Sequence, residues 1–381
     1  MVDRSGKKFP KGITQRKDGR YMGRFEYAGE KYTVYGKTLQ EVKKKLEDKR
    51  YETEHGLYSK ETNITVQTWF EIWITEYKSM SVKRGTIVAY RNAYKTYVDK
   101  SIGKRKLKDV RAEHIQKIYN DMHQKGYKRS TIETVSIVLG GMFKQAMKNE
   151  MIMKNPGGLA TLPKETTKIE RRVLNQEEQR IFLNYAKDSQ YAPIFEFALS
   201  TGMRGGEIRA LTWDCIDFTG KMIHVKSTLK KEAGRFYLDT PKTMSSYRDI
   251  PILDNVLRIL KKQRLWQSEK KLQLGAEWKC CEGLEQLVFT TNVGTPIDKE
   301  YLKNSIDGTV ARINADGIEF EHLTMHTFRH SFATRCIEEG MNPQTLKAIL
   351  GHSKLATTMD LYAHVLPDTK AQEMQKIANL F

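Results

Sequence analysis

Between Gly12 and Gly36 apolar and charged residues alternate with the period of two that a half-buried strand requires, and three short strands are predicted there. Asp18-Gly19 and Ala28-Gly29 mark the tight turns between them. In the second strand Tyr21, Phe25 and Tyr27 share one face, opposite Arg20, Met22 and Arg24; in the third, Tyr32 and Val34 oppose Lys31, Thr33 and Tyr35. From Thr38 to Glu54 the period lengthens to that of a helix, and Leu39, Val42 and Leu46 form a stripe suited to covering the apolar face of the sheet.

From Asn63 to Asn155 helical period prevails, and four helices are predicted. Their stripes are Trp69, Phe70, Trp73 and Tyr77; Ala89, Tyr90, Ala93 and Tyr97; Ile115, Ile118, Tyr119 and Met122; and Val135, Val138, Leu139, Met142, Phe143 and Met147. Such stripes make a bundle core, because a helix needs an apolar face to pack. Asn155-Pro156-Gly157-Gly158 is read as the stop of the last helix, followed by a polar linker over 159–172. Beyond it helices and strands mix. Gln176–Tyr185 and Tyr191–Ser200 read as helices, Gly205-Gly206-Glu207 opens another, and Met222–Val225, Arg235–Leu238 and Tyr247–Pro251 read as three strands, with Lys242 at a hairpin tip in the last connection. The division is therefore 1–62, a small sheet plus helix; 63–158, an all-α bundle; the linker 159–172; and 173–381, a mixed α+β domain ending in a tail, 363–381, where Met374, Ile377, Ala378 and Phe381 make an apolar stripe.

Charge changes the picture. The net +19 points to a polyanionic partner, and its distribution matters more than its sum. Lys and Arg outnumber Asp and Glu by 16 to 10 in residues 1–62 and by 20 to 9 in 63–168, but only by 29 to 27 in 169–381. The first two regions thus read as DNA grips. In the sheet, Arg20, Arg24 and Lys31 suit a major groove, which admits a β-ribbon, although a solvated charged surface is the plainer account. In the bundle, Lys83, Arg84, Lys104, Arg105, Lys106, Lys128 and Arg129 cluster at connections and helix ends, where free amides also suit phosphates. The nearly neutral remainder must bind its anion through placed residues.

Cys215, Cys280, Cys281 and Cys336 show neither a disulfide framework nor zinc spacing. Gly36-Lys37-Thr38 looks like the end of a phosphate-binding loop, but Lys31 stands where that motif needs its first glycine, so no nucleotide or other cofactor is expected. Without a membrane-length apolar run or a signal-like N-terminus, the chain reads as cytoplasmic, with no membrane partner.

The chemistry concentrates late. His326, Arg329 and His330 occupy i, i+3 and i+4 of one helix face; Gly351-His352 follows a helix stop, and Tyr362 comes ten residues on. Upstream, Arg204 and Glu207 lie in Thr201-Gly202-Met203-Arg204-Gly205-Gly206-Glu207, and Lys242 in the string Thr240–Pro251 that also holds Arg248. Cations, imidazoles and a phenol suit attack of a tyrosine on a phosphodiester: two guanidiniums steady the phosphorane charge, and a histidine takes the phenol proton. Carried by these motifs, the chain resembles the tyrosine recombinases, and among them the phage and conjugative-transposon integrases with an N-terminal arm-binding domain.

The resemblance implies that Arg204 and Arg329 bind the phosphate, His326 and His352 act beside it, Lys242 protonates the departing 5′-oxygen, Glu207 supports, and Tyr362 is the nucleophile. It also implies a helical core-binding domain and a catalytic domain acting on double-stranded DNA at core and arm sites, without metal or ATP. A homotetramer is implied too, in which the tail would dock onto a neighbouring protomer, although packing on its own domain suits the stripe equally; an excisionase and a host DNA-bending protein are further candidate partners. Three other classes share part of the signature. A type IB topoisomerase uses the same chemistry on one duplex; a chromosome-dimer resolving recombinase generally lacks a segment like 1–62; a non-catalytic DNA-binding regulator would have lost Tyr362 or an arginine.

Overall fold

The computed structural model describes residues 9–27, 29–54, 64–164, 172–241 and 244–365, and the chain divides into two compact units, Met1–Lys168 and Ile169–Phe381. In the first unit β1 (Ile13–Gln15), β2 (Tyr21–Tyr27) and β3 (Glu30–Gly36) form an antiparallel sheet in that order, with Phe25 opposite Tyr32 and Gly23 opposite Val34. Helix α1 (Leu39–Glu54) lays Val42 and Leu46 on Ile13, Tyr21, Phe25 and Val34. It comes so close that a Cβ on Gly23 would stand 3.0 Å from side-chain atoms of Leu46 and Val34. The start of α1 is a reciprocal cap: Thr38 Oγ1 accepts from the Glu41 amide while Glu41 Oε2 accepts from the Lys37 amide. Gly36-Lys37-Thr38 thus has a local structural use. Tyr27, assigned to the apolar face, is exposed and outside this core.

The bundle comprises α2 (Val66–Ile72), α3 (Arg84–Ala93), α4 (Ala112–Gln124) and α5 (Arg129–Lys148). The first two run on as π-helical turns, Trp73–Lys78 and Tyr94–Gly103. Within the second widened segment Tyr94, Val98 and Ile102 are buried and Tyr97 is only partly so, which departs from the expected stripe; Ala89, upstream in regular α3, is exposed. Phe70 stacks on Tyr94 at 3.8 Å between centroids, and Trp69 Nε1 donates to the Met142 carbonyl at 2.9 Å, satisfying its one polar atom inside the core. Helix α5 ends at Lys148, earlier than the Asn155 stop anticipated; Asn155 instead caps the short 3₁₀ turn Pro156–Gly158. Residues 159–164, assigned to a linker, are fastened to the bundle, with Ala160 and Leu162 on its core and Gln116 bonded to both the amide and the carbonyl of Thr161.

The second unit opens with α6 (Gln176–Ala186), α7 (Ala192–Thr201) and α8 (Gly205–Arg209). Then follow β4 (Ile216–Asp217), β5 (Met222–Val225), β6 (Thr228–Glu232), β7 (Arg235–Asp239) and β8 (Arg248–Pro251). They make two sheets: β4-β5-β8 and the hairpin β6-β7. The strand Thr228–Glu232 was not anticipated, because Lys230, Lys231 and Glu232 hide its apolar positions. Strands β7 and β8 pair in different sheets, β7 with β6 and β8 with β5, and the hairpin β6-β7 turns at Ala233-Gly234. Lys242 itself lies outside the described residues. The unit continues with α9 (Asp254–Leu274), α10 (Lys299–Ala315), α11 (Met325–Glu338), α12 (Pro343–Leu350) and α13 (Leu355–Val365). Phe182, Phe195 and Phe328 meet at the centre of its core. The apolar positions Met374, Ile377, Ala378 and Phe381 of the tail lie outside the described residues. No helix among the described residues is long and apolar enough to cross a membrane.

Candidate active site

A helix leaves its last carbonyls without intrahelical donors. Gly351, in the left-handed region at φ 66°, ends α12, and three arginines from three different elements take the carbonyls around it. Arg248 Nε donates to Ile349 O at 2.5 Å, Arg329 Nη2 to Leu350 O at 2.6 Å, and Arg204 Nη2 to Gly351 O at 3.2 Å. Cations at a helix carboxyl end also meet the negative pole of its dipole.

Local sequence brings each arginine there. Gly202, at φ 61°, ends α7 and turns the chain so that Arg204 becomes the N-cap of α8. Arg329, in the middle of α11 and 4% exposed, ties that turn to α12 by donating from Nη1 to Gly202 O at 2.8 Å. Burial, and after it the Arg204 guanidinium, press its pKa down to about 9, so it remains charged at neutral pH.

Glu207 holds the cluster together. It is 5% exposed; its Oε1 accepts from Arg204 Nη1 at 2.8 Å and its Oε2 from the Arg204 amide at 2.9 Å. The same carboxylate takes both terminal nitrogens of Arg248, at 3.2 and 2.8 Å. Burial by itself would raise the Glu207 pKa, but the bonded Arg248 guanidinium and the Arg204 charge outweigh it and keep the carboxyl below its usual range.

His326 is at the start of α11, its ring 6.3 Å from that of His330. Desolvation by its surroundings, then the charges of Arg329 and Arg204, lower its pKa, with Glu207 opposing. The imidazole is therefore neutral at pH 7, as a base must be. The folded chain binds this proton less readily than the unfolded one, so the site resists protonation until the pH falls below about 6.5, and stability declines in that acid window. If His326 is the base, single-turnover DNA cleavage stays level from pH 8 down to about 6.5 and falls only beneath it. A limb centred above 6.5 and unchanged in His326→Asn would remove His326 from that role.

His352 follows Gly351 directly, and its Nδ1 sits 2.9 Å from Oγ1 of the buried Thr358, which sets the ring orientation. Arg204, Glu207, Gly351, His352 and Ser353 line one cavity of about 380 Å³. Lys230 lines it too, from β6, paired with Asp239 across the hairpin.

Tyr362 is placed differently. Its ring packs with Ala333, Ile337, Leu346 and Leu361, and its hydroxyl donates to the Met341 carbonyl. Among the described residues the influences on its pKa are burial and then the Cys336 thiol, and both raise it. The phenol is thus partly exposed and on the same unit as the arginines, but its oxygen is turned to a backbone acceptor. The structure brings Arg204, Arg329, Glu207, His326 and His352 together and leaves the Tyr362 hydroxyl outside their hydrogen bonds.

Arg248 and Lys230 were not singled out by sequence. Lys230 sits among other basic residues and Arg248 beside an acid in a strand, and only the long-range fold distinguishes them. Of the basic residues assigned to DNA, Arg20, Arg24, Lys31, Arg84, Lys104, Arg105, Lys106 and Lys128 are exposed. Lys83 and Lys128 are the N-caps of α3 and α5, where free amides add to their charge. Arg129 is taken up by Glu133 and the Pro163 carbonyl, an intramolecular engagement that competes with a phosphate.

Comparison with known proteins gives these features a common setting. Residues 171–368 match the phage integrase family, and residues 65–123 match the N-terminal SAM-like domain of phage integrases. A tyrosine recombinase XerC-like protein of Caldanaerobacter subterraneus subsp. tengcongensis is 29% identical over 363 residues, 91% of each chain. The transposase from transposon Tn916 of Enterococcus faecalis is 24% identical over 400 residues, 98% of this chain and 96% of the relative. A transposon Tn1549 integrase solved with circular intermediate DNA shares the fold at TM-score 0.72 and 24% identity, covering 83% of this chain and 100% of that one. A lambda integrase in a tetramer bound to a Holliday junction does so at TM-score 0.58 and 17% identity, over 93% and 95%. With its family match spanning more than half its length, the chain belongs to the phage integrase family and is a site-specific tyrosine recombinase of the integrase type.

Proposed function

We propose that this recombinase integrates and excises a mobile element by exchanging strands between two duplexes, with Tyr362 as nucleophile and Arg204 and Arg329 as the phosphate clamp. The observation that supports this most is the convergence of Arg204, Arg329, Glu207 and His352 on the carboxyl end of α12, with His326 close enough to feel both arginines. In this reading His326 accepts the phenol proton while the Tyr362 oxygen bonds to phosphorus. His352 donates to a nonbridging oxygen, and Lys242 protonates the leaving 5′-oxygen. The resulting 3′-phosphotyrosine keeps the phosphodiester energy, and a 5′-hydroxyl from the second duplex reverses the step.

The division into an arm-binding segment 1–62, a core-binding segment 63–158, a linker 159–172 and a catalytic segment 173–381 belongs to the same proposal, as do the cytoplasm as its site of action and the tetramer as the acting species. The charge excess of the first two segments supports them as DNA grips. The assemblies in which relatives were solved, on circular intermediate DNA and on a Holliday junction, support double-stranded DNA and a homotetramer. An excisionase and a host DNA-bending protein complete the partners proposed.

The test is a reaction between two differently labelled duplexes carrying the element's core and arm sites. Recombinant strands together with protein covalently attached to DNA are expected. Relaxation of a supercoiled plasmid without exchange would replace this reading by a topoisomerase, and binding with neither product by a DNA-binding regulator.

A further inference from the structure

Arg248 has no part in the proposed chemistry, yet its guanidinium is more fully engaged than those of the clamp. Its side chain is 5% exposed, against 33% for Arg204. Nη2 and Nη1 fork onto the Glu207 carboxylate, Nη1 also donates to Ser246 O at 3.2 Å, and Nε donates to Ile349 O. Its stem runs against Gly351: a Cβ there would lie 2.9 Å from Arg248 Cδ and 3.2 Å from Nη1, so the chain passes the guanidinium only because the residue is glycine.

We propose that Arg248 is a positioning residue that sets Arg204 through Glu207 and seats His352 through the carboxyl end of α12, holding two phosphate-binding groups from separate elements at one spacing. The inference rests on the roles proposed above for Arg204 and His352. The physical need is plain. Glu207 alone in the interior would be a costly charge and would draw Arg204 inward; with Arg248 on its other side it is neutralised, and the second terminal nitrogen of Arg204 remains at the cavity. Only a planar fork can bind a carboxylate with two nitrogens while a third meets a carbonyl. A lysine in its place would serve one partner at a time.

The experiment compares the full-length chain with Arg248→Lys, Arg248→Gln and Arg248→Gln combined with Glu207→Gln, following thermal stability, duplex binding and single-turnover cleavage of a nicked suicide duplex across pH. Arg248→Lys is expected to bind duplex within about threefold of the unmutated chain and to cleave about 10²-fold more slowly, as a misplacement near 1 Å can cost. In Arg248→Gln, the groups left facing Glu207 are Arg204, Arg329 and His326, and the acid limb of cleavage moves to higher pH. The double variant should cleave within about threefold of Arg248→Gln, because both changes break one linkage. An Arg248→Lys chain that cleaves at the unmutated rate while melting lower would reduce Arg248 to a fold-stabilising residue and overturn the proposal. So would losses that multiply in the double variant. Failure of the unmutated chain to form phosphotyrosine is a separate outcome, and it would strike the reading of the site rather than Arg248.

Discussion

Tyr362→Phe is expected to keep its affinity for DNA and to lose covalent capture by a nicked suicide duplex completely. The substitution removes one oxygen and leaves the ring among Ala333, Leu346 and Leu361, where it packs now. Among the described residues the bond given up is the donation to the Met341 carbonyl, worth about 1 kcal/mol net for a hydrogen bond of this kind, too little to unfold the unit. Chemistry, by contrast, has no substitute, since the ester to phosphorus needs that oxygen. In the structure the hydroxyl faces Met341, and its pKa is raised by burial and Cys336. On the proposed mechanism, attack requires it to leave that acceptor and come under the arginines, which reverses the sign of its environment from one that keeps the proton to one that favours phenolate. Capture that persists in the variant would move the nucleophile to another exposed phenol, with Tyr247 and Tyr301 the next to replace.

Arg329→Gln should slow cleavage by roughly 10²–10³, the usual cost of removing one donor from a developing oxyanion. It should also melt earlier, because the guanidinium is the donor for both Gly202 O and Leu350 O, and a shorter amide reaches at most one of them. An unsatisfied buried carbonyl costs about 1–3 kcal/mol. The two losses separate by temperature: the rate deficit persists well below the melting point, where the variant is folded, whereas a purely structural arginine would recover full cleavage there. Recovery to the unmutated rate would take Arg329 out of the phosphate clamp.

Much of this was legible in sequence. The period-two segment from Gly12 to Gly36 and the stripe Leu39, Val42 and Leu46 found each other as expected, because a strand face and a helix face of matching length have few other places to bury themselves. Asn342-Pro343 and Gly351 bounded α12 as their side chains dictate: an N-cap acceptor, a pre-set φ, and a glycine free to turn left-handed. Less legible were places where a local rule is overridden. The π-type turns after Ala93 changed which tyrosine is buried, and the charged run Lys230-Lys231-Glu232 masked a strand whose partner, β7, supplies the reason for it.

What the chain determines by itself is therefore its elements and its chemical inventory: period, caps and stops depend on residues a few positions apart, and the set Arg204, Glu207, His326, Arg329, His352 and Tyr362 is present for anyone to read. What the tertiary structure alone decides is how that inventory is wired. Arg204 meets Gly351 across 147 positions, Arg248 meets Ile349 across 101, and Arg329 meets Gly202 across 127. Whether a given arginine ends in solvent, on a helix terminus or against a buried carboxylate depends on which distant backbone is left with unpaired carbonyls. No spacing along the chain encodes that. The Tyr362 hydroxyl is the clearest case: sequence offers it as the nucleophile proposed here, while packing beside Met341 decides where it sits.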